Sequence, residues 1–192
     1  MHTLPALVHR PLRRRLSLAG VLVAACLAGA GVRAQEDPPA RVGRVAEVAG
    51  TVRTISSEGA WTSVARNQPL STGDRITTDA SGRATLQIGS TVVRLGADSD
   101  LVVTQLDDVH VRLRFDHGQL AVRVRSEDIP GELFIDTTEG AWVPHHVGQY
   151  RFDRAARQPL AAQAWSGDML LEAPDSSLPL KAPQREIGRA HV

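Results

Sequence analysis

Between residues 69 and 103 the chain runs in short apolar–polar alternations, each closed by a glycine-containing turn. Ala84, Leu86 and Ile88 alternate with Arg83, Thr85 and Gln87, the period of two that gives a strand one buried face. Gly89 and Ser90 follow as a two-residue turn with glycine first, as a type II′ hairpin requires, because its first turn residue takes positive φ. That turn sets Ile88 opposite Thr91, Leu86 opposite Val93 and Ala84 opposite Leu95, with all six on one face. A chain built this way satisfies its backbone between strands and not within a helix.

The clearest alternation lies further on. Val111, Leu113 and Phe115 point one way and Arg112 and Arg114 the other; Leu120, Val122 and Val124 then alternate with Ala121, Arg123 and Arg125. Reading residues 116–119 as a four-residue hairpin loop puts Phe115 opposite Leu120, Leu113 opposite Val122 and Arg112 opposite Arg123. Like charges directly opposite destabilise a sheet by up to ~1 kcal/mol, so an acidic group should answer them. Two readings of Arg112, Arg114, Arg123 and Arg125 stay open. They form a patch for an anionic partner, or they pair with Asp or Glu on the next strand and cover the sheet with their stems.

The same grammar extends in both directions. Val42, Val45 and Val48 lead to a turn at Ala49 and Gly50, Val52 and Ile55 continue, and Trp61 lies just beyond a polar turn, where it either packs as a cap on the first hairpin or stacks on a ligand. Residues 132–138, 150–153 and 163–165 give further strands, with a turn at Ser166 and Gly167 and a close at Met169, Leu170 and Leu171. Glycine intervals are irregular, so this is no strict repeat. No helical period is sustained after the N-terminal segment. An all-β body is therefore expected over residues 41–173, either a compact, twisted, solenoid-like stack of short strands or a two-sheet sandwich or jelly roll; both bury one face of each strand.

The ends of the chain differ. Residues 10–15 are arginine-rich, residues 16–30 are an apolar run shorter than the ~20 a bilayer span needs, and Val32 and Ala34 place small side chains before Gln35. This reads as a secretory signal peptide over residues 1–34, cleaved between Ala34 and Gln35, with a stiff linker at 35–40. Cys26, the only cysteine, follows Val23, Ala24 and Ala25 as in a lipoprotein box. It is either an apolar filler discarded with the signal or the lipidation site of an envelope anchor, and neither reading leaves the mature chain a disulfide. The five arginines of this segment inflate the formal charge of +1; without them 17 basic residues face 21 acidic ones, a net charge of −4. A broadly basic nucleic-acid surface is not expected. At the other end Pro174, Pro179 and Pro183 suggest a disordered tail over residues 174–185. Residues 186–192, EIGRAHV, match the translation of a sequencing adapter, are set aside from the fold, and imply that the natural chain runs on.

Reaction chemistry has little to hold it. His145 and His146 would point to opposite faces of a strand, and even with His110 or His117 nearby they lack the carboxylates or thiols of a metal site. The pairs Asp98 and Asp100, and Asp107 and Asp108, suit turns that bond their own backbone. No nucleophile elbow, phosphate loop or dinucleotide fingerprint is present. No enzyme activity, cofactor or metal is expected.

These residues carry a resemblance. Pro69 and Leu70 before Gly73 and Asp74, the threonine-rich Ile76, Thr77 and Thr78, the turn at Ser81 and Gly82, the apolar run to Gly89 and Ser90, and Leu95, Ser99 and Leu101 together resemble the FecR domain. The likeness continues more weakly through His117, Gly118, Gln119 and Leu120, through residues 134–138, and through Ser166, Gly167 and Asp168, over roughly residues 41–172. It implies a solenoid-like envelope module that receives a signal through protein–protein contact. The best-known members carry a cytoplasmic anti-sigma segment and a membrane helix ahead of this domain, whereas here a signal peptide precedes it. The expectation is therefore a free or lipid-anchored periplasmic module that binds an envelope protein. The alternative is a cell-wall-associated scaffold or adhesion unit.

Overall fold

The structure is a computed structural model that describes residues 42–55 and 59–183. The expected signal peptide, linker, Cys26, the Ala34–Gln35 cleavage site and the adapter-like end lie outside the described residues. Within them the fold is all-β, with fifteen strands in one mixed sheet. The strands are β1 (Gly43–Ala49), β2 (Val52–Ile55), β3 (Thr62–Ser63), β4 (Pro69–Leu70), β5 (Arg75–Thr78), β6 (Arg83–Ile88), β7 (Thr91–Leu95), β8 (Asp100–Leu106), β9 (Val111–Val124), β10 (Leu133–Thr137), β11 (Gly140–Pro144), β12 (Gly148–Arg154), β13 (Ala161–Ser166), β14 (Asp168–Ala173) and β15 (Ser176–Lys181).

The sheet has two halves that share β9. One runs β4-β1-β6-β7-β9-β12-β13 through the second part of β9; the other runs β3-β2-β5-β8-β9-β10-β11-β14-β15 through its first part. All pairings are antiparallel except β9 with β10. The inner faces of both halves contribute to one hydrophobic core, in which Ile76, Leu86, Val93, Leu101, Leu113 and Leu133 are wholly buried beside the aromatic Phe115, Tyr150 and Phe152. Each such side chain contributes ~1.5–3 kcal/mol of burial.

The β6–β7 hairpin follows the expected register. Ala84 pairs with Leu95, Leu86 with Val93 and Ile88 with Thr91; Gly89 takes φ +54 while Ser90 keeps negative φ. The reading of residues 111–124 is corrected. They form one continuous strand and not a hairpin, so Arg112 lies opposite Gln105 and Phe134, and Arg123 opposite Val92 and Gln149. The apolar phase switches from Val111, Leu113 and Phe115 to Leu120, Val122 and Val124 because the strand bends at Gly118, which has φ +102. A Cβ there would lie 2.3 Å from Ser99 Cα and 2.5 Å from the Asp98 carbonyl oxygen.

Ser99 fixes the bend. Its Oγ accepts the Gln119 N–H at 2.9 Å and lies 3.0 Å from the Gln119 carbonyl, while its own N–H donates to Thr78 Oγ1 at 2.8 Å. Thr78 Oγ1 in turn donates to the Gly96 carbonyl at 2.6 Å. Ser99 is 1 % exposed, so these bonds replace water that cannot reach the crossing. The Gly73–Asp74 turn is built similarly: Asp74 Oδ2 accepts the Ser71 N–H at 2.8 Å, and Gly73 N–H donates to Val103 at 2.7 Å.

Three further expectations change. Trp61 is exposed, with the Arg53 guanidinium 5.6 Å from its ring, and does not cap a buried hairpin. Residues 140–144, which lie between the strands expected at 132–138 and 150–153, form a further strand, β11, which pairs with β10 and β14. The tail expected to be disordered contains β15, paired with β14 from Asp168↔Lys181 to Ala173↔Ser176. Pro179 is tolerated there because β15 is an edge strand, which keeps one row of its N–H groups outside the ladder.

Candidate binding face

The four arginines singled out in the sequence are divided between the two halves. On the outer face of the second half, Arg112 donates Nε and Nη2 to the Asp136 carboxylate at 3.0 and 2.9 Å, with its guanidinium 4.5 Å from the Phe134 ring centroid. The Asp136 bond holds the Arg112 pKa above its ordinary value. Arg114 approaches Asp116 at 3.3 Å. The acidic answer to Arg112 thus comes from β10. Arg123 and Arg125 belong to the other half, where they line a cleft of about 450 Å³ with Gln149 and Ser166. Bending β9 separates the two pairs, so the four do not form one patch.

The histidines and aspartates hold the framework. Tyr150, 1 % exposed, directs its hydroxyl to the carbonyls of His146 (2.6 Å) and Asp168 (3.0 Å), and burial raises its pKa to about 12. His146 Nδ1 meets the Asp168 carboxylate, while the His145 N–H donates to the Asp168 carbonyl. His110 packs against Phe134 at 5.9 Å and His117 sits at the β9 bend, opposite Asp100. Asp100, almost wholly buried, is answered by Arg75. Asp107 accepts the Val109 and His110 N–H groups and the Gln105 amide; the Gln105 bond is the largest cause of a pKa lowered to about 2. Among the described residues no three His, Cys, Asp or Glu side chains gather as a metal site would need.

The strongest surface feature comes from residues far apart in sequence. Strand register across the first half's outer face aligns Glu47 (β1), Thr85 (β6), Arg94 (β7), Ala121 (β9) and Arg151 (β12) in one row. Arg94 and Arg151 stand two strands apart, ~10 Å, with only the Ala121 methyl group between them. The result is a cleft of about 580 Å³ lined by Ala121, Gly96, Gln119 and Val48 together with Arg83, Arg94, Arg151 and Glu47. Arg151 donates to Asp153 at 2.5 and 2.8 Å, and that bond raises its pKa. Among the described residues no carboxylate lies in ion-pair range of Arg83 or Arg94. An electropositive recess therefore sits on a body whose net charge is negative. No local stretch of the chain signals it, because its arginines come from three separate strands.

No family model matches the chain, and no curated protein matches it. Among solved structures, the chain is similar to one described as a "putative anti-sigma factor" from Parabacteroides distasonis, with 17% identity and a TM-score of 0.48. That alignment covers 56% of this chain and about half, 51%, of the other.

Proposed function

We propose that the chain is an exported, non-catalytic binding module of the FecR kind that works in the bacterial periplasm, free or tethered through Cys26, by contact with an envelope protein. The observation that carries this reading is the use made of the motif residues. Asp74, Thr78 and Ser99 spend their polar atoms on backbone groups at strand crossings, and so brace a rigid sheet. What that sheet offers outward is a face on which, among the described residues, Arg83 and Arg94 have no carboxylate in ion-pair range. Buried hydroxyls committed to backbone bonds position a scaffold.

The test is affinity capture of the full-length protein from cross-linked envelope fractions, with a parallel assay on purified peptidoglycan. A reproducible protein partner in the periplasmic fraction supports the reading. Retention on peptidoglycan without a protein partner, or a protein confined to the cytoplasm, overturns it.

A further inference from the structure

We infer that the Arg83–Arg94–Arg151 cleft is a docking site for an extended acidic segment of a partner protein; this rests on the reading of the chain as a protein-binding module. Arg83 and Arg94, which among the described residues have no carboxylate in ion-pair range, stand on adjacent strands β6 and β7, and Arg151 faces Arg94 across Ala121. Arg151 commits Nε and Nη2 to Asp153, which leaves Nη1 as a donor. An extended segment alternates its side chains to opposite sides. Laid over Ala121, two consecutive acidic residues would therefore direct one carboxylate to Arg94 and the next to Arg151. Arginine's planar fork suits such carboxylates.

The surroundings favour this occupant over other anions. Three arginines converge on a recess instead of spreading over the face, Glu47 also lines it and Asp153 neutralises part of the charge. A nucleic acid or an anionic bilayer would gain from a broad positive field, and here it would meet those two carboxylates on a body of negative net charge. A recess of about 580 Å³, with only the Ala121 methyl group between Arg94 and Arg151, leaves room for a peptide main chain, which a lone phosphate would not fill.

The experiment is fluorescence anisotropy of the full-length protein with a fluorescein-labelled peptide of core Gly-Glu-Glu-Gly, against its Gly-Gln-Gln-Gly counterpart, free succinate, inorganic phosphate and phosphatidylglycerol vesicles. The acidic peptide should bind, more weakly as salt rises. Arg83→Gln with Arg94→Gln should weaken it at least about tenfold, and Glu47→Gln should tighten it roughly two- to threefold. Ala121→Phe, which fills the recess without changing charge, should abolish binding and covers the case in which the double variant fails to fold. Equal binding of the Gln peptide, unchanged affinity in these variants, or stronger binding of succinate, phosphate or vesicles overturns the inference. If Ala121→Phe still captures the envelope partner, the cleft is wrong and the binding-module reading stands. If the peptide binds and no partner is ever captured, the reverse holds.

Discussion

Replacing Gly118 by alanine tests the bend on which both halves of the sheet depend. At φ +102 an L-residue is strained, which costs ~1–3 kcal/mol. The new Cβ would also lie 2.3 Å from Ser99 Cα, 2.4 Å from Ser99 Oγ and 2.5 Å from the Asp98 carbonyl oxygen. Two of these three atoms are backbone held by the crossing, so relief requires the chain itself to move, at a further ~1–3 kcal/mol. The sum, ~2–6 kcal/mol, is a large part of the 5–15 kcal/mol typical of a domain. In urea denaturation it should lower the midpoint by at least about 0.7 M at an ordinary slope of about 1–3 kcal/mol/M. Two controls separate the causes. Gly131 has φ +85 with nothing within 4 Å of a built Cβ, so Gly131→Ala should cost only the backbone part, ~1 kcal/mol. Gly59 has open space and no positive φ, so Gly59→Ala should change stability by no more than ~0.5 kcal/mol. A Gly118→Ala protein as stable as the Gly59→Ala control would refute the continuous bent strand and revive the hairpin loop.

Other perturbations read different parts of the fold. Ser99→Ala removes the acceptor for the buried Gln119 N–H and should cost ~1–3 kcal/mol by the same denaturation assay. Arg75→Met strands the nearly buried Asp100 carboxylate and should cost ~3 kcal/mol or more, whereas Arg112→Met breaks a partly exposed pair and should cost ~1 kcal/mol or less; equal losses would contradict the burial difference. Tyr150 has a raised pKa in the folded state, so its contribution is complete below pH ~10 and is lost as pH rises toward 12. Alkaline unfolding curves should show that loss in the parent protein and not in Tyr150→Phe, which instead should be less stable by ~1 kcal/mol at neutral pH.

Local pairing was legible in the sequence and long-range pairing was not. The β6–β7 register follows from one glycine and six alternating residues, because a two-residue turn leaves no freedom in which side chains meet. At Gly118 the same kind of signal misleads. A phase switch over residues 116–119 is produced equally by a hairpin loop and by a bend within one strand, and only the neighbours β7, β8, β10 and β12 decide which. Gly50 and Gly167 repeat the lesson: each looks like a hairpin turn, yet each carries the chain from one half of the sheet to the other, β1 to β2 and β13 to β14. Prolines drew attention away from β15, where a sheet's edge accepts Pro179. As for the candidate site, Arg112 and Arg123 were conspicuous because they alternate along one stretch of chain. Arg83, Arg94 and Arg151 are neighbours only through three strand registers, none of which is visible until the sheet is assembled.

Arginine side-chain Nε–Hε spectra of ¹⁵N-labelled protein, recorded during titration with the Gly-Glu-Glu-Gly peptide, probe the binding face one cation at a time. The Arg83 and Arg94 resonances should move and saturate together, while those of Arg75 and Arg112, ion-paired on the other half of the sheet, stay still. Immobile Arg83 and Arg94 signals, or shifts of equal size at Arg75 and Arg112, would contradict a carboxylate-reading cleft on this face.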